Sequence, residues 1–130
     1  TMKKLILITG LFLLTLSGFS QFTIPVTLYG DCVYTQTGTF YGVHVKVYEG
    51  TVLKAEGYAT SMTTTNQLSV EIPEFCVNDN TSIYTIVVDA LKAYIVDPSS
   101  RICKGTYINS ELFSCESFVN GVPVQPVTLE

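Results

Sequence analysis

The stretch Gly42-Val43-His44-Val45-Lys46-Val47-Tyr48-Glu49-Gly50-Thr51-Val52-Leu53 decides the fold class. Val43, Val45 and Val47 recur at every second position, and His44, Lys46 and Tyr48 fill the places between them. Successive side chains of a β-strand point to opposite faces, so this spacing predicts a strand with one apolar and one polar face. Valine also suits a pleated surface, because its branched Cβ packs well against neighbouring strands. Glu49-Gly50 followed by Val52-Leu53 then reads as a tight hairpin, glycine supplying the positive φ that short turns require.

The same period extends in both directions. Over residues 23–28, Ile24, Val26 and Leu28 oppose Thr23, Pro25 and Thr27. Further on, Leu68, Val70 and Ile72 oppose Ser69 and Glu71. Residues 82–88 are apolar on both sides, as a central strand would be. Residues 52–59, 92–96, 105–108 and 122–129 are weaker strand candidates, and Pro123 and Pro126 confine the last to an edge, since proline cannot donate to a ladder. Turn signals separate these runs: Gly30-Asp31, Thr37-Gly38, Asn78-Asp79-Asn80, Asp97-Pro98 and Asn120-Gly121. Only residues 110–117 suit a helix, and for a single turn. The expectation is an all-β, seven- to eight-stranded antiparallel β-sandwich.

Composition narrows the function classes. The chain has 130 residues, of which 47% are hydrophobic, and a net charge of −4. So apolar a chain builds a core and is not intrinsically disordered. An acidic chain without a basic stripe is a poor nucleic-acid binder. One histidine and no Cys-x-x-Cys pair exclude most structural zinc schemes, and no metal or cofactor is expected. Lys3 and Lys4 precede an apolar run from Leu5 to Leu16, followed by Ser17-Gly18-Phe19-Ser20. That pattern predicts a secretory signal peptide over residues 1–20 and a single sandwich domain over 21–130. The run is shorter than the ~20 apolar residues that span a bilayer, so the membrane enters only through the unprocessed segment. The rival reading keeps it as a helix packed inside an assembly. The expected location is secreted or at the cell surface, by way of the periplasm if the source is bacterial. Four cysteines, Cys32, Cys76, Cys103 and Cys115, then predict two disulfides. Three connectivities exist; the short loop favours Cys103–Cys115, leaving Cys32–Cys76.

Residues 42–48 also resemble the "Gly-x-x-Val-x-Val" strand of transthyretin-like, carboxypeptidase-regulatory-like and collagen-adhesin B-repeat domains. Residues 55–61, 68–73 and 84–88 fall where the following strands of that fold would lie, so the resemblance covers residues 23–90. It implies a β-sandwich with a non-enzymatic adhesion, structural or carrier role. The Lys–Asn isopeptide bond of collagen adhesins is not implied, because Lys46 lies in the second strand, out of pattern with Asn109 or Asn120.

Candidate chemistry is sparse. His44 is the one imidazole, and any base-assisted nucleophile would have to use it. Its valine neighbours place it on the outer face. Glu71 and Glu74 flank Ile72-Pro73, but glycosidic chemistry needs a cleft that a small sandwich does not offer. The oxygen-rich run Asn78–Ser82 lacks the spacing of a calcium loop, although Asn80-Thr81-Ser82 is a glycosylation acceptor pattern. Tyrosines are more informative. Tyr48 and Tyr58, with His44, are the candidate contact surface, because an exposed tyrosine combines apolar area with a hydrogen-bonding tip. The extended ends, residues 21–25 and 122–130, are candidate strand donors through Ile24, Val26, Val124 and Val127. The expected function is a secreted, non-enzymatic structural or interaction module that contacts protein, its own copies included, as in a surface or filament subunit. The alternatives are a small-ligand or carbohydrate binder using Tyr48, Tyr58 and residues 60–66, and a small hydrolase centred on His44.

Overall fold

The computed structural model describes residues 20–30, 39–62, 66–79, 81–94 and 102–130. These form strands β1 (Gln21–Tyr29), β2 (Thr39–Glu49), β3 (Val52–Ser61), β4 (Gln67–Pro73), β5 (Thr85–Tyr94) and β6 (Ile102–Ile108), then helix α1 (Cys115–Asn120) and strand β7 (Gln125–Thr128). The predicted signal segment up to residue 19, Cys32, Asn80, Val96 and the middle of the threonine-rich loop lie outside the described residues.

The strands make a three-stranded sheet, β4-β1-β7, and a four-stranded sheet, β3-β2-β5-β6. Ile24, Val26 and Leu28, with Val70 and Ile72 beside them in the same sheet, pack against Val43, Val45, Val47, Ile86 and Val88 of the other sheet in one core, all nearly or wholly buried. The period-two reading is therefore met on β1, β2 and β4, while residues 82–88 are corrected: the central strand begins at Thr85, Ile83 before it is exposed, and Val87 lies in the same row as Lys46, away from the core. The hairpin at Gly50 is met too, with φ 61° at that glycine. Residues 92–96 do not begin a new strand: Lys92 continues β5, and its side chain is buried against the Tyr41 ring, 5.6 Å from Nζ to centroid.

Two details depart from the sequence reading. All strand pairs are antiparallel except β1–β7, which run parallel from Val26↔Gln125 to Tyr29↔Thr128. β1 and β7 are far apart in sequence, so no tight hairpin, which would force an antiparallel pair, joins them, and β7 reaches the sheet through α1 from β6 in the other sheet. β7 is an edge strand, as Pro126 requires. The helix is also displaced, starting at Cys115 instead of Ser110, because Phe113 is held in a bridge to Tyr84 (backbone N···O distances 2.8 and 2.9 Å).

The cysteine pairing is a correction. Cys76 is bonded to Cys115, with Cα atoms 5.9 Å apart. That bond takes one cysteine from each expected pair, so neither Cys103–Cys115 nor Cys32–Cys76 forms, and Cys103 is disulfide-bonded as well. The cause is strand length. Cys103 lies near the start of β6, and five residues of strand carry the chain about 17 Å onward before it turns towards Cys115. Closeness in sequence becomes distance in space.

The two sheets approach each other along both sides. Gly57 of β3 lies against the backbone carbonyl of Glu71 in β4, and Gly105 of β6 against that of Thr128 in β7. On the β6 side Lys104 N donates to Glu130 O at 3.2 Å, and Glu130 N to Lys104 O at 3.0 Å. A Cβ at Gly57 would run into main chain, which cannot step aside as a side chain can. Gly57→Ala is therefore expected to destabilise by about 2–3 kcal/mol, the cost of overpacking, whereas at Gly42 an added Cβ meets side chains alone, the Phe40 ring edge at 3.3 Å and Leu91 Cγ at 3.6 Å. Urea unfolding of the two alanine variants checks this, and equal midpoints would refute it.

Candidate functional site

Alternation along β2, β3, β5 and β6 turns one set of side chains away from the core, and the ladder registers set them in rows across the four-stranded sheet. One row is Tyr58, His44, Asp89 and Thr106; the next is Thr60, Gly42, Leu91 and Lys104; a third is Glu56, Lys46, Val87 and Ile108. No element described covers this face.

The first row is tied together. The His44 and Tyr58 rings stack with centroids 3.9 Å apart at 10°. His44 Nε2 lies 3.0 Å from Glu56 Oε2. Thr106 Oγ1 donates to Asp89 Oδ1 at 2.7 Å, and Lys46 Nζ lies 3.0 Å from Asp89 Oδ2. The Thr106 hydroxyl, and after it the Lys46 ammonium, hold the Asp89 carboxyl below the usual carboxylate range, while Asp89 raises the Lys46 ammonium above its ordinary value. A depressed carboxylate contributes stability that is complete above its unfolded pKa and is lost as pH falls through the folded one. The wild type is thus expected to lose stability as pH falls below about 4, the unfolded aspartate value. Asp89→Asn should flatten that limb by about 0.5 kcal/mol, the scale of a half-exposed pair; chemical unfolding at pH 3 and pH 6 is the measurement.

Row two is low in its middle because Gly42 presents no side chain. The result is a trough of ≈ 370 Å³ whose lining includes Phe40, Gly42, His44, Tyr58, Leu91 and Lys104. Phe40 leans over the glycine backbone from one side, as an aromatic ring often does beside a strand glycine, and the His44–Tyr58 stack stands on the other. Tyr58 is 68% exposed. Ile108 and Ile102 add exposed apolar area at the β6 margin.

Of the residues singled out in the sequence, His44 and Tyr58 are brought together here. Tyr48 shares the sheet face but lies two residues beyond Lys46, outside the trough. Ile24, Val26 and Val127 are buried in their own sheet, with β1 paired on both sides, while Val124 is exposed. Glu71 accepts a hydrogen bond from Thr23 Oγ1 at 2.8 Å across the β1–β4 ladder, and the Glu74 amide donates to Ser20 O at 3.1 Å. The Asp79 carboxylate is occupied by its own turn, accepting from the Thr81 amide and hydroxyl, the Ser82 amide and the Tyr84 hydroxyl, and the bonds from Thr81 and Ser82 hold it well below the usual range. Asn109 Nδ2 donates to the buried Gln125 Oε1 at 2.9 Å. Among the described residues no group of three His, Cys, Asp or Glu side chains is placed to hold a metal ion. Phe40, Leu91, Asp89, Lys104 and Thr106 were not singled out, because membership of the trough depends on register. A single cue was available: Gly42 interrupts the outward series Phe40, His44, Lys46, Tyr48.

No protein-family model and no curated protein matches the chain. A solved structure titled as an alternative pilotin from the type II secretion system of Vibrio cholerae is similar over 85% of this chain and 98% of that one, at TM-score 0.45 and 8% identity. A likeness that slight carries no functional assignment. The resemblance to transthyretin-like and related domains accordingly stands at the level of an all-β, sandwich-like fold. Among the described residues no helix is long and apolar enough to cross a membrane.

Proposed function

We propose that this protein is a non-enzymatic binding module that works outside the cytoplasm and recognises its ligand with the outer face of the four-stranded sheet. One observation carries the reading: the trough over Gly42, in which stacked and leaning aromatics and ion-paired side chains are held in fixed places on an uncovered face. Fixed aromatic surface with a polar surround is what binding sites use, because little conformational entropy is lost when a ligand arrives. The Cys76–Cys115 disulfide and the predicted signal peptide support the location. For the non-enzymatic part, the support is where His44 points: its Nε2 goes to Glu56 and its ring to Tyr58, not to a hydroxyl nucleophile. The adhesion and carrier roles implied by transthyretin-like domains agree with this reading.

Self-assembly by strand donation is the less favoured form of partner contact, since β7 would first have to leave β1 and uncover Val127 and Leu129. The test is a photo-crosslinking side chain at position 58, compared with one at Glu116 on α1. Adducts with components of the exported fraction are expected from position 58 alone. Equal labelling from both positions, or none from 58, would end the proposal.

A further inference from the structure

We infer that the trough is a site for a small anionic ligand with a flat apolar body, of the class of aromatic carboxylates, the body lying over Gly42 and the acid group on Lys104. This deepens the reading of the face as a binding surface and rests on it.

Size is the first argument. A hollow of ≈ 370 Å³ falls within the range of small-molecule pockets, roughly 300–1,000 Å³, and is small for a folded partner. Its floor is the second. A Cβ built on Gly42 would meet Phe40 Cε1 at 3.3 Å and Leu91 Cγ at 3.6 Å, so the bottom is bare backbone between two apolar side chains. The wall opposite Phe40 is the His44–Tyr58 stack, whose planes lie within 10° of each other. A flat ring fits between such surfaces better than a branched chain does.

Charge is the third. His44 lies against Glu56, and Lys46 against Asp89, whose other oxygen accepts from Thr106. Lys104 alone of the charged lining residues has no ion partner among the described residues. Glu130 pairs with it through the backbone, but its carboxylate makes no ion pair there. Neighbouring strands are about 4.8 Å apart, so Gly42 on β2 lies about 10 Å from Lys104 on β6. A lysine chain reaching inward closes most of that gap to an acid group at the edge of a two-ring body. The cost of the arrangement is the negative Asp89 nearby, which Lys46 offsets.

The probes are 2-naphthoate, its neutral carboxamide and the cation 2-naphthylmethylammonium, titrated into the full chain with amide chemical shifts as readout. Naphthoate is expected to shift Gly42, Leu91 and Lys104 and to bind about tenfold more tightly than the carboxamide, the size of one charge-assisted hydrogen bond. Lys104→Gln should remove that preference and leave carboxamide binding as it was. Gly42→Val, which places a good strand former in the trough, should abolish binding of both. If that variant does not fold, Tyr58→Ser, which strips an exposed ring, should weaken both. Equal affinity for all three probes, an unaltered naphthoate preference in Lys104→Gln, or no binding of any probe would each overturn the ligand class. Adducts from position 58 in the absence of naphthoate binding would retain the face as a binding surface and reject this ligand; absence of both would reject the face itself.

Discussion

Replacing Cys76 and Cys115 together by alanine is expected to cost about 4 kcal/mol. The bond closes a loop with a sequence separation of 39 residues. Releasing it returns loop-closure entropy to the unfolded chain, and at this length the chain-entropy estimate is about 4 kcal/mol. The replacement must be double, since a single one leaves a thiol buried where Cys115 is only 1% exposed. Location matters as well as loop length. The bond ties α1 to the chain just beyond β4, which closes one end of the sandwich over Phe22. Urea unfolding of the double variant against the oxidised wild type is the measurement. A loss under about 1 kcal/mol would show that α1 is held by packing alone.

Phe118→Ala is expected to cost a similar amount, about 3–5 kcal/mol. Phe118 is 3% exposed and sits among Phe75 at 4.9 Å, Phe22 at 5.9 Å, Tyr84 at 6.0 Å and Phe113 at 6.0 Å between ring centroids. Three of these contacts are edge-to-face, with interplanar angles of 81°, 83° and 71°, the arrangement in which the positive ring edge meets the negative ring face. Truncation removes the ring shared by all four neighbours, and the disulfide beside them limits collapse of the cavity. Phe118→Leu should keep most of the burial and lose mainly the ring geometry, for about 1–2 kcal/mol. Val119→Ala, next in sequence but 64% exposed, should stay within about 0.5 kcal/mol. Thermal unfolding of the three variants orders them, and a Phe118→Ala midpoint close to that of Val119→Ala would sink the account. The two large effects should not add, because Phe118 and Cys115 share one short helix and one end of the core.

Particular residues show how far the chain could be read in advance. His44 was placed on the outer face from its valine neighbours alone, and it is there. Its stacking on Tyr58 was out of reach, because those residues meet only through the β2–β3 register, which slips by a bulge between Val47 and Tyr48. Lys104 and Leu91 are likewise ordinary surface residues until β5 and β6 align them with Gly42. The cysteines make the same point from the other side. Their number announced disulfides, but loop length was the wrong guide to partners, because β6 carries Cys103 away while α1 folds back over Cys76.

Alternation of apolar and polar residues by itself determined that this protein is built of strands, and which side of each strand faces inward. That much is local, since backbone geometry ties neighbouring side chains to opposite faces whatever lies alongside. Which strands lie side by side, where β7 enters in parallel, which sulfurs meet and where a missing side chain opens a trough were decided by tertiary structure alone. Each of those depends on two distant segments finding a common register, and the spacing within either segment is the same for every register that keeps its apolar face buried.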